Sequence, residues 1–503
     1  MRIVLEPLIG SSNLFGESDF LRHVTLARHA SRLGHYTWFL VPDVGEIAQE
    51  MKEELEKIPN VNPLLVDTFK AAFYYNEGTT ISNFGRMFNA NFGEYPIDAV
   101  ITSKSAVAAY EHRMLKDLRI EDLIPVIVLE PESYYPVFAS DMLQSVVKHR
   151  VYGYAVGHTI FSTPFEQTLA IRMARKYLSF TSIKEILDWR STIISTGINC
   201  DEIDEIIKDV KKHDKMTLFF GGRMNLSKKI EILLTEFEHL FSFAREVDFK
   251  MTTPSSPVTS LEFGKYKDFI DLKVGVRRTE FLRESAKAHI LFYPSPHEGF
   301  PAGVWEQIYV GLIPVVRNCD WVRSQFTKDY PYAWDSVMEA KAMVRYIIDN
   351  YEKAYEETQP LRDLVREKYD ANKTNPEILD FTNKVRKERS DHRLFKMAGR
   401  GNREMIRDAI DLMGKDEFTF EELTLAINKI SPGYGLNKRQ AQRVGRMGRT
   451  MLYQAMIGMG WRDKCDGPYP VFYKEDGDVI DYMLDDPDTS YEEEEEVDKE
   501  VEG

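Results

Sequence analysis

Two stretches of the chain carry residue types that could bind an anion at one end and a set of hydroxyl groups at the other. In the first, an apolar run ending at Phe220 is followed by Gly221-Gly222-Arg223, then by Lys228 and Lys229 at the start of a helix-like pattern. Glycines let a backbone approach a ligand closely. A helix start offers N–H groups and the positive end of its dipole. Arg223 and Lys228 add two cations, so the stretch suits a diphosphate and could stabilise a departing nucleoside diphosphate as its charge develops. Read alone, such a turn serves packing as readily as binding. The second stretch is Tyr293-Pro294-Ser295-Pro296-His297-Glu298-Gly299-Phe300-Pro301-Ala302-Gly303-Val304-Trp305-Glu306. Glu298 falls in a loop and Glu306 about two helical turns further on. Two carboxylates so spaced lie along one face of a helix and its entry loop. They accept hydrogen bonds from hydroxyls and so suit a sugar and a ribose. A surface loop with an ordinary helix start is the plainer reading. Gly299 and Gly303 permit close packing, and Gly311-Leu312-Ile313-Pro314-Val315-Val316 opens the next strand.

The elements that must position these residues alternate strand and helix. Ile3–Leu5, Trp38–Val41, Ala99–Thr102, Val126–Leu129 and Thr159–Ser162 read as strands, and Asp19–Leu33 as a helix ended by Gly34. That rhythm predicts a doubly wound parallel sheet. A second series starts near Met216. Its strands are Thr217–Phe220, Phe249–Thr252, Ile290–Tyr293 and Val315–Arg317, and its helices Ile230–Phe243, Phe281–Ala288 and Gly303–Val310. Two such domains face each other across a cleft at the carboxyl ends of their strands, where α/β sheets bind ligands. Residues 336–390 read as charged helices closing the second domain, with one helix crossing back to the first.

The order Gly-Arg…Lys, then Pro-Ser…Glu-Gly-Phe…Glu, then Gly-x-x-Pro-Val-Val resembles the large retaining GT-B glycosyltransferase family. That family's glutamate pair is separated by seven residues, as Glu298 and Glu306 are. His23-Val24-Thr25-Leu26-Ala27 with Leu33-Gly34-His35 looks like its first helix and turn, and Thr196-Gly197-Ile198-Asn199 like its interdomain segment. The resemblance covers roughly residues 1–330 and implies an α/β fold of two Rossmann-like domains. It also implies that Arg223 and Lys228 hold a donor diphosphate, with Gly222 in the turn. Glu298, beside Gly299 and Phe300, would contact the donor sugar, and Glu306 the ribose. The loop from Gly10 to Gly16 would lie near donor and acceptor. A nucleotide sugar, with UDP-glucose expected, is the co-substrate, and no metal or further cofactor is expected. Transfer would retain configuration by front-face attack, the leaving phosphate helping to deprotonate the acceptor. One departure stands out: Glu130-Pro131-Glu132 occurs where the family often has His. Glu130 either binds sugar or acceptor, acts as a base, or caps a loop. His158, opening a strand near the seam, reads as structural.

From about Arg393 the βα rhythm stops. Met405–Met413 reads as a helix, and Thr419 with Glu422 forms a capping box. Asn437 caps a helix over Lys438–Met456, interrupted by Gly445 and Gly448. Two short aromatic strands around Gly467-Pro468 resemble a wing, so the segment resembles a winged helix-turn-helix. Lys438, Arg439, Gln442, Arg443, Arg446 and Arg449 lie on the third helix, with no acid from Asn437 through Arg449. Such residues contact phosphates and base edges. A solvated face on a protein-interaction module is the plainer alternative. The domains expected are therefore 1–200, an acceptor domain; 201–390, a donor domain; 391–475, a DNA-binding domain; and 476–503, an acidic tail.

Charge sharpens that division. The net charge is -15, but residues 476–503 hold seven Asp and seven Glu against one Lys, which is -13. Residues 393–475 hold 15 basic against 10 acidic side chains, a net of +5. Like charges keep the tail from collapsing. It serves solubility or competes with nucleic acid for the basic segment. The three cysteines have no pairing spacing, so neither a disulfide framework nor a zinc site is expected. Without an 18-residue apolar run no transmembrane helix is expected, and MRIVLEPLIG reads as a strand, not a signal peptide. Cytoplasm, a host's if the chain is viral, is the expected compartment. A sugar transferase with its own DNA-binding module would most simply glycosylate DNA at a hydroxymethylated pyrimidine, as bacteriophage enzymes of GT-B build do. The base would leave the stack to reach the cleft. The alternatives are a saccharide, lipid-linked or protein acceptor, and a DNA-binding regulator with a non-catalytic sugar-nucleotide site.

Overall fold

A computed structural model describes residues 1–7, 13–66, 68–71, 79–82, 97–103, 124–130, 150–224, 228–230, 247–254, 270–389 apart from 328, 400–430, 456, 461–464 and 471–473, with isolated positions at 232 and between 105 and 115. Two parallel sheets dominate it. The first runs β3 (Val61–Val66), β2 (Tyr36–Pro42), β1 (Arg2–Glu6), β6 (Ala99–Ser103), β7 (Val126–Glu130), β8 (His158–Phe161) and β9 (Ser191–Ile193), every pairing parallel. A small antiparallel ribbon, β4 (Thr68–Ala71) with β5 (Thr79–Ser82), forms a separate sheet beside β2. The second sheet runs β12 (Asp271–Val274), β11 (Asp248–Thr253), β10 (Thr217–Gly221), β13 (Ile290–Tyr293), β14 (Ile313–Arg317) and β15 (Ala333–Trp334), again all parallel.

The four strands beside the two order reversals, β1, β6, β10 and β13, are buried along their whole length, as a sheet covered on both faces requires. The order reverses between β1 and β6 in one sheet and between β10 and β13 in the other. Those two reversals fix where a crevice opens beyond the strand ends.

Helices cover the sheets. In the first domain α1 (Ser18–Arg32) and α2 (Glu46–Glu56) precede α3 (Pro164–Ala174) and α4 (Phe180–Asp188). Gly34, at φ 73°, ends the turn after α1, a conformation that costs glycine little. The second domain adds α5 (Cys200–Ile207), α6 (Arg278–Lys287), α7 (Ala302–Tyr309), α8 (Asp320–Gln325), α9 (Val337–Asp349), α10 (Tyr351–Glu357) and α11 (Gln359–Lys368). The long α12 (Ala371–Arg389) crosses back: Ile378, Leu379 and Val385 join Ile3, Leu5 and Phe20 in the first domain's core. Arg386 anchors it, donating to the fully buried Asp98 at 3.0 Å.

The chain thus crosses between domains twice, and the crossings clasp each other. Ile198 N–H donates to Tyr369 O at 2.7 Å and Ala371 N–H to Ile198 O at 2.8 Å. A Cβ on Gly197 would lie 2.5 Å from the Ala371 Cα, so only glycine lets the strands approach so closely.

The C-terminal unit has its own small core of Ile406, Ala409, Phe418, Leu423, Met456, Trp461 and Phe472. It comprises α13 (Arg400–Met413), β16 (Glu417–Thr419), α14 (Phe420–Ile430), β17 (Arg462–Asp463) and β18 (Val471–Tyr473), the strands antiparallel in the order β16-β18-β17. The capping box at α14 forms as its sequence dictates: Glu422 N–H donates to Thr419 Oγ1 at 3.2 Å, and Thr419 N–H to Glu422 Oε2 at 2.8 Å.

The expected helices Ile230–Phe243 and Lys438–Met456 fall almost wholly outside the described residues, as do Lys438, Arg439, Gln442, Arg443, Arg446, Arg449, Gly10 and the acidic tail. Among the described residues no helix is long and apolar enough to cross a membrane, and no group of three His, Cys, Asp or Glu could hold a metal ion.

Candidate functional site

A pocket opens between the two domains at the strand ends of the second sheet. Gly222, Arg223, Lys228, Glu298, Gly299, Phe300 and Glu306 line one wall, and Gly16, Asp19 and Arg22 the other. The crossing segment Thr196, Gly197, Ile198 and Asn199 closes one side. The topology explains the convergence. β10 ends at Gly221 and β13 at Tyr293, on either side of the second sheet's reversal, so the loops that follow both turn into the same crevice.

The turn after β10 is built for close approach. Gly222 has φ 152°, and a Cβ on Gly221 would strike the Phe281 ring at 2.4 Å. Lys229 holds φ 54°, a left-handed conformation uncommon outside glycine, immediately after Lys228. That turn delivers the Lys228 Nζ to Glu298 Oε1 at 2.5 Å, with side-chain exposures of 16% and 9%.

Glu298 is held from a second direction by Tyr293, whose hydroxyl donates to the same oxygen at 2.8 Å. Burial and then the Glu298 charge raise the Tyr293 phenol well above its ordinary value, so it stays a donor. Its ring is itself fixed, stacked on Phe220 and edge-on to Trp321. The loop beyond is pinned by backbone contacts. Trp321 Nε1 donates to Ser295 O at 3.1 Å, and Gln325 Nε2 donates to Gly299 O. Gln307 ties the two motifs together, donating to Gly221 O at 3.1 Å and Gly303 O at 2.8 Å.

Glu306 lies on α7 and meets Arg278, from the first turn of α6. The guanidinium contacts Glu306 Oε1 through Nε at 2.9 Å and Nη2 at 2.8 Å. Phe300 packs edge-on to Tyr369 and stacks against Trp305, closing the pocket floor.

Across the cleft, Gly16 lies where a Cβ would meet Pro254 Cβ at 2.8 Å and Val276 O at 3.1 Å. The neighbouring Asn13 amide donates to Pro254 O at 2.9 Å, so the loop after β1 is tied to the second domain. Asp19 accepts from the Ser103 hydroxyl, which ends β6. Asp19, Arg22 and Arg278 were not singled out from sequence. An Arg277-Arg278 pair between a strand and a helix was the available signal for the last. Glu130 closes β7, but its side chain lies outside the described residues. His158 is fully buried and packs edge-on against Trp189.

The arrangement places cations beside a glycine turn and carboxylates beside them, in one cleft. It suits a ligand with an anionic centre flanked by hydroxyl-bearing groups.

Solved structures with the same architecture span the two-domain body. HepE of Anabaena, in complex with UDP and glucose, is 11% identical with a TM-score of 0.53, the match covering 76% of this chain and 100% of that one. Sucrose-phosphate synthase of Thermosynechococcus elongatus gives a TM-score of 0.56 at 11% identity, over 76% of this chain and 99% of that one. A glycosyltransferase of Rickettsia africae gives 0.52 at 11%, over 76% and 98%. At such identities the likeness is one of fold: the chain has the GT-B architecture, with a C-terminal unit beyond it. No protein-family model matches the chain, and no curated protein matches it in sequence.

Proposed function

We propose that the protein is a glycosyltransferase that takes a sugar from a nucleotide sugar and places it on a hydroxyl, and that this hydroxyl belongs to a hydroxymethylated pyrimidine in DNA. One observation carries the first half: Arg223 and Lys228 meet Glu298 and Glu306 in a single interdomain pocket at the sheet's reversal. Arg223 and Lys228 take the diphosphate, Glu298 the sugar hydroxyls and Glu306 the ribose. UDP-glucose is the expected donor, in keeping with the UDP and glucose bound by HepE. In the reaction the bond from the sugar C1 to the diphosphate oxygen breaks and a bond from C1 to the acceptor oxygen forms. The acceptor proton passes to the leaving phosphate, whose charge the two cations stabilise. We read the transfer as retaining from the resemblance to the retaining GT-B family.

The acceptor rests on the C-terminal unit. Its succession of helix, strand, helix and two final strands, with the order β16-β18-β17, supports a winged helix-turn-helix. The basic run from Lys438 to Arg449 falls between α14 and β17 in the chain, where such a fold carries its recognition helix.

The test is mass spectrometry of nucleosides from DNA containing 5-hydroxymethylcytosine or 5-hydroxymethyluracil, after incubation with the protein and a panel of nucleotide sugars. A sugar mass on one nucleoside is the expected result. Donor hydrolysis without it moves the acceptor to a saccharide, lipid or protein. Salt-sensitive DNA binding without any donor turnover leaves a regulator.

A further inference from the structure

Glu306 does not stand alone. Both Arg278 contacts fall on its Oε1, and Glu306 lines the pocket. The third guanidinium nitrogen, Nη1, reaches Glu202 Oε1 at 3.2 Å. Glu202 sits in the first turn of α5, directly after the interdomain crossing. Its Oε2 accepts from the Asn199 amide at 2.9 Å, and Asn199 Oδ1 caps the helix by accepting from Glu202 N–H at 3.2 Å. Arg28, on α1 of the first domain, lies 3.7 Å from the same Oε2. A line of alternating charge therefore runs from the first domain through the crossing to the pocket. Arg278 is the member that touches both the crossing helix and the pocket carboxylate. A carboxylate held by an immobilised guanidinium keeps one rotamer, which is what a directional acceptor for a hydroxyl pair needs.

We propose that Arg278 is a positioning residue that sets recognition of the nucleotide's ribose by Glu306 and links it, through Glu202, to the interdomain crossing. This rests on the donor-site reading above. It predicts an effect confined to ligands that carry ribose hydroxyls.

The experiment is calorimetry of the full chain with a panel of nucleoside diphosphates, followed by the best binder against its 2′,3′-dideoxy form. The wild type should bind the dideoxy form about tenfold more weakly, the worth of hydrogen bonds to a charged group. Arg278→Gln should lose about tenfold for the parent nucleotide and less than about twofold for the dideoxy form. Glu306→Gln should give the same ribose-blind pattern, and guards against a fold defect in the first variant. Glu202→Gln should fall between wild type and Arg278→Gln, again only for the parent. Equal losses on both ligands, or none on either, overturn the proposal while leaving the donor site in place. A wild type that binds no nucleoside diphosphate overturns the donor site and this proposal together.

Discussion

The two ends of the second sheet treat buried charge in opposite ways. At the carboxyl ends, Lys228 meets Glu298 and Arg278 meets Glu306, each cation within 3 Å of a carboxylate. At the amino ends, His289 and Lys212 are shifted by burial and by other bases. His289 accepts from Thr217 N–H through Nδ1 at 3.2 Å, and burial, then Lys212, lower its pKa to about 4. Lys212 donates to Ala288 O and to Gly311 O at 3.2 Å, and burial, then Arg362, lower it to about 7. One end pairs its ions; the other drives bases toward neutrality. Burial thus has different consequences at the two ends, set by whether an opposite charge lies beside the buried group.

Breaking the paired end should have the largest effect. Glu298→Ala should lower kcat/KM for sugar transfer by about a hundredfold or more, the scale of losing one preorganised polar group at the reacting centre. Lys228→Ala should cost a similar factor. The double variant should cost less than the product of the two, because each single change strands the other's charge. Steady-state kinetics with a nucleotide sugar checks this, and full additivity would show that the pair does not act as a unit.

The amino end makes a prediction of the second rank. The imidazole of His289 is held neutral in the fold, with a pKa of about 4 against an ordinary 6.5. Between those values the unfolded chain binds more protons, so stability is present above pH 6.5 and is lost as pH falls toward 4. The whole loss is on the order of 3 kcal/mol. Thermal melts from pH 7 down to 4 should therefore flatten in His289→Gln relative to wild type. Parallel curves would mean that another group governs acid sensitivity.

Tyr293→Phe ranks third. It removes the hydroxyl that donates to Glu298 but keeps the stacked ring. A drop of about tenfold in kcat/KM, with little change in melting temperature, is expected for one charge-assisted bond. An equal loss of stability would assign Tyr293 to packing alone.

How much of this was legible in the chain follows from how local each feature is. The glycine turn, Arg223, Lys228 and the Glu298–Glu306 spacing lie within short windows, and the strands that deliver them are apolar throughout. Strand β13 matches its expected bounds, Ile290–Tyr293. Edge strands were not anticipated: β3 contains Pro63, which an edge tolerates, and β12 is short and half exposed. Helix α6 begins at Arg278 rather than Phe281, because its first turn is charged and only later turns carry the apolar period. Arg28, Glu202, Arg278 and Glu306 are far apart in the chain and lie on four different helices. Nothing in one helix's pattern reports the other three.

The smallest expected effect concerns the seam outside the pocket. Arg277, neighbour of Arg278, pairs with Glu50 of the first domain in a two-point contact at 2.8 and 2.9 Å and packs over the Phe15 ring. Both partners are largely exposed, 55% and 44%, so solvent screens the attraction and two long side chains must be ordered to make it. Exposed pairs of this kind contribute at most about 1 kcal/mol, so Arg277→Met should shift the donor KM by no more than about fivefold. The shift should shrink further as salt rises from low to physiological concentration. Arg278→Gln, one residue on, should be less sensitive to salt because Arg278 and its pocket partner Glu306 are only 16% and 11% exposed. Donor titrations of both variants at two salt concentrations separate the cases. Equal salt dependence would mean that the inner pair is as open to solvent as the outer one, and the contrast between a buried Arg278–Glu306 pair and a screened surface contact would fail.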